Sequence, residues 1–214
     1  MSDLQCAVRV FVARHGEAEY ETDVLADRGG SLTRLGREQA AALADILVGE
    51  RIAHVYVSSM SRAVQTGEIV AARLGVAVTV REALCEFSVG SYAGQPVEPD
   101  PFAATYGHWL AGDLAARIDG GESGAEVVER VSAVLQEIAD AHRGEAVLVV
   151  SHGGVMCTAL PQLAGNLSAG HPAGRALANC AVVRLDADID GWLARSWADE
   201  GLPSRAGHSH SGAT

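Results

Sequence analysis

Apolar residues cluster along the chain in two ways. Ala7 to Ala13 (AVRVFVA) is β-branched and apolar, Val55 to Val57 repeats the pattern briefly, and Ala146 to Val150 (AVLVV) is an unbroken apolar run. Runs of this kind predict strands buried on both faces. Between them, apolar positions fall at helical spacing. Thr33 to Glu50 predicts a helix with Thr33 as its N-cap and Leu35, Leu43, Ile46 and Leu47 along it; Ser61 to Leu74 predicts a second, closed by Gly75; Ser123 to His142 predicts a third, closed by Gly144. Ala77 to Val80 (AVTV) and Ala181 to Leu185 (AVVRL) read as further strands, and Trp192 to Trp197 as a weaker one after the acidic turn Asp186 to Gly191. Alternating strands and helices predict an α/β fold, a three-layer α/β/α sandwich around a mostly parallel sheet of about six strands.

Ser88 to Gly121 breaks the alternation. It holds three prolines, several glycines and the rings of Tyr92, Phe102, Tyr106, His108 and Trp109, and reads as a lid-like insertion at about 88–121 over one end of the sheet. Residues 1–202 are expected to form one domain, and 203–214, rich in Gly, Ser and His, a disordered tail.

Composition narrows the chemistry. With 214 residues, 48% hydrophobic, the chain is long enough to bury a sizeable core. All 16 basic residues are arginine, against 27 acidic residues, for a net charge of −11. The absence of lysine excludes Schiff-base chemistry and the P-loop nucleotide hydrolases. An acidic surface of this kind repels polyanions, so nucleic acid is not an expected partner. No apolar run reaches the length of a membrane span and the N-terminus lacks a secretory pattern; neither a membrane nor export is expected, and the default location is the cytoplasm. Cys6, Cys85, Cys157 and Cys180 lack metal-ligand or redox spacing and read as buried free thiols, with no metal site.

Three strand ends carry the candidate chemistry. The first strand runs into Arg14-His15-Gly16-Glu17, the second into Ser58-Ser59-Met60-Ser61-Arg62, and the Ala146 to Val150 strand into Ser151-His152-Gly153-Gly154. Ligands of open α/β sheets bind outside the carboxyl ends of the strands, so Arg14, His15, Arg62 and His152 should converge. Arg62 falls in the first turn of a helix, where the macrodipole disfavours a cation unless an anion binds beside it. Gly153 and Gly154 would let an anion approach the backbone.

These residues carry a resemblance to a known family. Arg14-His15-Gly16-Glu17 matches R-H-G-E; Leu32-Thr33, Gly36 and Gln39-Ala40 match L-T-x-x-G-x-x-Q-A; Ser58-Ser59, Arg62-Ala63 and Gln65-Thr66 match S-S-x-x-R-A-x-Q-T. Leu84-Cys85-Glu86 with Gly90 and Gly94, then Gly120 to Ser123 (G-G-E-S), Ser151 to Gly154 (S-H-G-G) and Asn179-Cys180 follow in order. The chain thereby resembles the histidine phosphatase superfamily, also called the phosphoglycerate mutase-like family. The resemblance implies that His15 is a nucleophile that becomes a phosphohistidine and that Arg14, Arg62 and His152, with Gly153, bind the phosphoryl group. It makes Glu86 the general acid and then base, its pKa raised by burial. It implies no cofactor and no metal, a small phosphate ester as partner, and leaves room for a homodimer.

The match has departures. Ala18 and Glu21 stand where the family usually has a hydroxyl and an Asn, and Tyr92-Ala93-Gly94 replaces W-E-G. The interval 88–121 has one arginine, Arg117, against Glu98, Asp100, Asp113 and Asp119, so a second phosphate would find little to bind. The favoured reading is therefore a metal-independent phosphomonoesterase, with Glu21, Tyr92, Tyr106, His108 and Trp109 as candidate substrate-facing residues. The alternatives are a cofactor-dependent mutase-type phosphotransferase and a non-catalytic anion-binding module.

Overall fold

The structure, a computed structural model, describes residues 6–19 and 23–202. The predicted tail at 203–214 and the candidate residue Glu21 lie outside the described residues. In chain order the elements are β1 (Val8–Arg14), β2 (Ala18–Glu19), β3 (Ser31–Leu32), α1 (Arg34–Leu47), β4 (Ile52–Val57), α2 (Ser61–Leu74) and β5 (Val78–Val80). They continue with α3 (Ala103–Leu110), α4 (Gly124–Ala141), β6 (Ala146–Ser151), α5 (Gly153–Leu163), β7 (Val182–Asp188), β8 (Gly191–Trp197) and β9 (Glu200–Gly201).

The main sheet has the order β5-β4-β6-β1-β7-β8-β9. β5, β4, β6 and β1 are mutually parallel, and β7, β8 and β9 extend the sheet antiparallel. Seven strands replace the expected six, because β9 is a two-residue exposed strand, too short to carry any alternation. β7 also runs through Asp186, which the sequence assigns to a turn; ion pairing with Arg195 holds it on the strand.

The side-chain alternation of β1 and β6 explains their continuous apolar runs. Val8, Val10, Val12, Val147 and Val149 enter the core beneath α4 and α5, while Phe11, Ala13, Leu148 and Val150 enter the one beneath α1 and α2. Both faces are covered, so neither can be polar. On β7 only Val183, Leu185 and Ala187 are buried, and the residues between them stay partly exposed, as expected where one face is less covered. The helix limits follow from capping: Thr33 accepts from the Gly36 N–H, Gly75 ends α2 in the left-handed region, and Ser123 forms a capping box with Glu126.

Of the four thiols expected to be buried, only Cys157 is; Cys85 and Cys180 are half-buried and Cys6 is exposed. No helix among the described residues is long and apolar enough to cross a membrane.

Candidate active site

Parallel pairing brings the carboxyl ends of β4, β6 and β1 side by side. Arg14 is in register with Ser151, the His15 N–H donates to the Ser151 carbonyl at 3.0 Å, and the Ser58 N–H donates to the Val150 carbonyl at 3.1 Å. The segments that leave these strands are thus neighbours before any side chain is considered.

His15 is 6% exposed. Its Nδ1 lies 2.7 Å from the Gly16 carbonyl, which can only accept, so the proton resides on Nδ1. The lone pair is left on Nε2, which accepts from Arg62 Nε at 3.2 Å. Burial, opposed by the Gly16 bond and assisted by Arg62 and Arg14, lowers the imidazole pKa to about 4, so the ring is neutral near pH 7. The loop around it is tightly built. A Cβ on Gly36 would lie 2.0 Å from the Glu17 carbonyl oxygen, and one on Gly16 would lie 2.5 Å from that of Gly36, so α1 packs on this loop only with glycine at both places. Gln39 accepts from the Glu17 N–H, Thr66 accepts from the Gly16 N–H, and Asn179 donates to the His15 carbonyl.

Arg62 is buried and bonds the Gly29 carbonyl through Nη1. Arg14 Nη1 donates to the Leu177 carbonyl at 2.7 Å, and its guanidinium packs beside Gly153. His152, fully buried, stands with its ring centroid 5.1 Å from that of His15. Its Nε2 lies 2.7 Å from Ser58 Oγ, which also accepts from the Met60 N–H; with the hydroxyl proton on Nε2, His152 would carry its own on Nδ1. Burial above all, then Arg62 and His15, pushes its pKa well below the usual value. Arg14 Nε and His152 Nδ1 are buried with no hydrogen-bond partner among the described residues. Buried polar atoms left unpaired are costly, so a water or a ligand is expected beside these two.

Glu86 reaches this place from the loop after β5. Its carboxylate accepts from the Gly154 and Val155 N–H groups, both at 2.9 Å, and from the Phe87 N–H at 3.2 Å. Burial raises its pKa, and the three backbone bonds oppose the rise. The two glycines of S-H-G-G therefore divide their duties. Gly153 borders Arg14, whereas Gly154 seats Glu86: a Cβ there would come within 2.4 Å of the Phe87 ring and 2.7 Å of Glu86 Oε1.

The Glu86 loop is braced from α4. Arg130 forms a forked ion pair with Glu122 (Nε to Oε1 2.6 Å, Nη2 to Oε2 3.0 Å), and its Nη1 donates to the carbonyls of Ala83 and Cys85. Glu122 also accepts from the Ser88 N–H. The pair thus grips the chain on both sides of Glu86. Glu122 belongs to the G-G-E-S motif, and sequence reasoning assigned neither it nor Arg130 a role; the only signal was the motif itself.

A cavity of about 390 Å³ is lined by Arg14, His15, Arg62, Glu86, Gly153, Gly154 and Tyr106, with Phe87, Asp100, Phe102, Cys157, Ala176 and Leu177 completing its wall; His152 lies buried behind it. Tyr106 hydrogen-bonds Cys157 beside it, and burial raises the pKa of both. The other substrate-facing candidates lie elsewhere. Trp109 is 1% exposed and packs edge-on against Phe87, with its indole N–H on the Ala116 carbonyl. His108 is exposed and pairs with Asp113, and Tyr92 stacks edge-on against Phe102. Phe87 and Phe102 take the places expected of Tyr92 and Trp109.

A family model described as the histidine phosphatase superfamily (branch 1) matches residues 10–200. A Yersinia enterocolitica protein named "Probable phosphoglycerate mutase GpmB" is 30% identical over 199 residues, covering 90% of this chain and 91% of its own. Among solved structures, a mycobacterial glucosyl-3-phosphoglycerate phosphatase superposes with a TM-score of 0.73 at 24% identity, covering 90% of this chain and 99% of that one. A phosphoserine phosphatase from Entamoeba histolytica, solved with phosphoserine, gives 0.74 at 20% identity over 90% and 98%.

Proposed function

Because this chain belongs to the histidine phosphatase superfamily, we propose that it is a phosphomonoesterase that hydrolyses a small organic phosphate through a phosphohistidine on His15. The observation that carries the reading is the fixed tautomer of His15. Its Nδ1 proton is held by the Gly16 carbonyl, so Nε2 has a lone pair to offer, in a cavity that also holds two arginines and a carboxyl group of raised pKa.

The ester phosphate enters beside Arg14 and Arg62, and its oxygens take up the free Arg14 Nε and His152 Nδ1 donors. Arg62 Nε turns from His15 Nε2 to a phosphoryl oxygen, which frees the lone pair. Nε2 then attacks phosphorus, forming the N–P bond as the P–O bond to the alcohol breaks. Protonated Glu86 delivers its proton to the departing oxygen. Water next attacks the phosphohistidine, Glu86 as carboxylate takes its proton, the N–P bond breaks and inorganic phosphate leaves. Positioned cations supply most of the stabilisation in such a transfer. Here the arginines hold the positive charge, and no metal is assigned a step.

The second reading is a mutase-type phosphotransfer, favoured by the name of the Yersinia relative. It asks the site to hold a second anionic group, and Arg117, the one arginine of the interval 88–121, is engaged with Glu126 instead.

Hydrolysis of p-nitrophenyl phosphate in EDTA tests the proposal. Turnover should persist in EDTA, an acid-labile ³²P-protein adduct should be trapped on rapid quenching, and His15→Ala should lose at least about 10⁴-fold in kcat and all of the adduct. Full activity in His15→Ala would falsify the assignment.

A further inference from the structure

A second and larger cavity, about 760 Å³, opens on the other side of Glu86 and shares Arg62, Glu86, Phe87 and Phe102 with the first. Its size is that of a site for a whole small organic molecule. Two loop segments form its outer wall, and they are stitched together. The Leu25 N–H donates to the Gln95 carbonyl and the Gly94 N–H to the Leu25 carbonyl, both at 2.8 Å, and Val24 bridges Pro96. Val24, Leu25, Val89, Val97, Phe87 and Phe102 make the lining largely apolar.

Its charge is one-sided. Asp23, Asp27 and Glu98 line it, and the only cation that does is Arg62, already committed to Gly29 and His15. The sequence gives the same picture without coordinates, since no arginine occurs between Arg14 and Arg28 or between Arg81 and Arg117. Asp27 is turned to structural use by the Ser88 hydroxyl and the Val89 N–H. Arg28 lines not this cavity but a smaller one of about 290 Å³ that adjoins it through Asp27, Met60 and Glu86.

We propose that this cavity receives the alcohol portion of the substrate, and that it selects an apolar leaving group bearing no second anionic group. The inference rests on the phosphomonoesterase reading for its orientation: a proton donor stands next to the departing oxygen, so the leaving group lies on the Glu86 side of the phosphorus. A carboxylate or second phosphate placed there would lose its hydration against Val97 and Phe102 and meet Asp23 and Glu98 in place of a counterion. An aromatic or branched aliphatic alcohol would exchange water for carbon contact along the same wall.

Binding of non-hydrolysable phosphonates to the full chain, measured by calorimetry, tests this without turnover. 2-Naphthylmethylphosphonate should bind at least about tenfold tighter than methylphosphonate. Its 6-carboxy derivative should lose at least about tenfold of that, and Val97→Arg, at an exposed position, should restore most of the loss. Equal binding of the naphthyl and methyl compounds would overturn the proposal, as would a carboxylated ligand that binds as tightly as the uncharged one. If p-nitrophenyl phosphate is not hydrolysed but the ranking holds, the hydrolytic reading falls and the cavity assignment stands. If hydrolysis occurs and the ranking is reversed, only the cavity assignment falls.

Discussion

The cavity around His15 sets polar side chains that are committed to one another or to backbone into a wall it completes with Phe87, Phe102, Ala176 and Leu177, whereas the cavity beyond Glu86 is walled by apolar side chains and exposed carboxylates on two loop segments. In the first, displacing one group strands another. His15 is tied to Gly16 and Arg62, His152 to Ser58, and Glu86 to three amides and, through its loop, to Arg130 and Glu122. In the second, backbone bonds fix the two segments, but the side chains of Val24, Val97 and Phe102 make only apolar contacts, and one apolar residue could replace another with little cost. A fold arranged in this way can keep one chemistry while its choice of alcohol drifts.

The sharpest way to break the contrast is to change the residue the two cavities share. Glu86→Gln keeps the shape and removes the proton. An alkyl phosphate, whose alcohol cannot leave unprotonated, should lose about 10²- to 10⁴-fold in kcat/KM, which reports only the transfer to His15 and not the later hydrolysis, whereas p-nitrophenyl phosphate, with a stable leaving anion, should lose far less. Equal losses on both substrates would mean that Glu86 acts on the phosphoryl side and not at the leaving oxygen.

Acid should expose the cost of the first cavity. His15 is held neutral in the folded chain down to about pH 4, while the unfolded chain takes up the proton below about 6.5. This contribution to stability is complete above pH 6.5 and is lost progressively as pH falls toward 4, amounting to about 3 kcal/mol there. His152 is displaced in the same direction and adds to the loss. Urea unfolding at pH 7 and pH 4 should show the drop, and His15→Gln should show a smaller one. An identical drop in the variant would locate the acid sensitivity elsewhere.

The smallest effect concerns the brace. Arg130→Met leaves every lining residue in place and loosens only the loop that carries Glu86, so kcat on an alkyl phosphate should fall about tenfold with KM little changed. Arg130→Lys should recover part of it. A change confined to KM would make Arg130 a binding group and would undo the distinction between a braced and an unbraced cavity.

How much could be read from the chain follows the same division. The convergence of Arg14, His15, Arg62 and His152 was legible because three strand ends carry them and parallel strands share one edge. β1 and β6 were legible because both faces are buried. β9 was not, since two exposed residues carry no pattern. The Glu122–Arg130 brace depends on where α4 lies against the Glu86 loop, a tertiary fact with no local signature. The interval 88–121 was read only as an insertion, and the helix α3 within it was not foreseen among the surrounding prolines and glycines. Phe102, Tyr106 and Trp109 follow one stripe, and His108 falls outside it and is exposed. Only the fold shows that the first two of the stripe reach the cavity while Trp109 passes beneath it into the core.

The seat of Glu86 on the amides of Gly154 and Val155 also makes a clock. While the carboxylate is in place those two amide protons are shielded, and if Glu86 swings away as the proposed proton transfer requires, they become open to exchange with solvent. Their deuterium uptake, compared between the resting protein and one saturated with vanadate, would therefore report how often Glu86 leaves its seat in a protein that is not turning over.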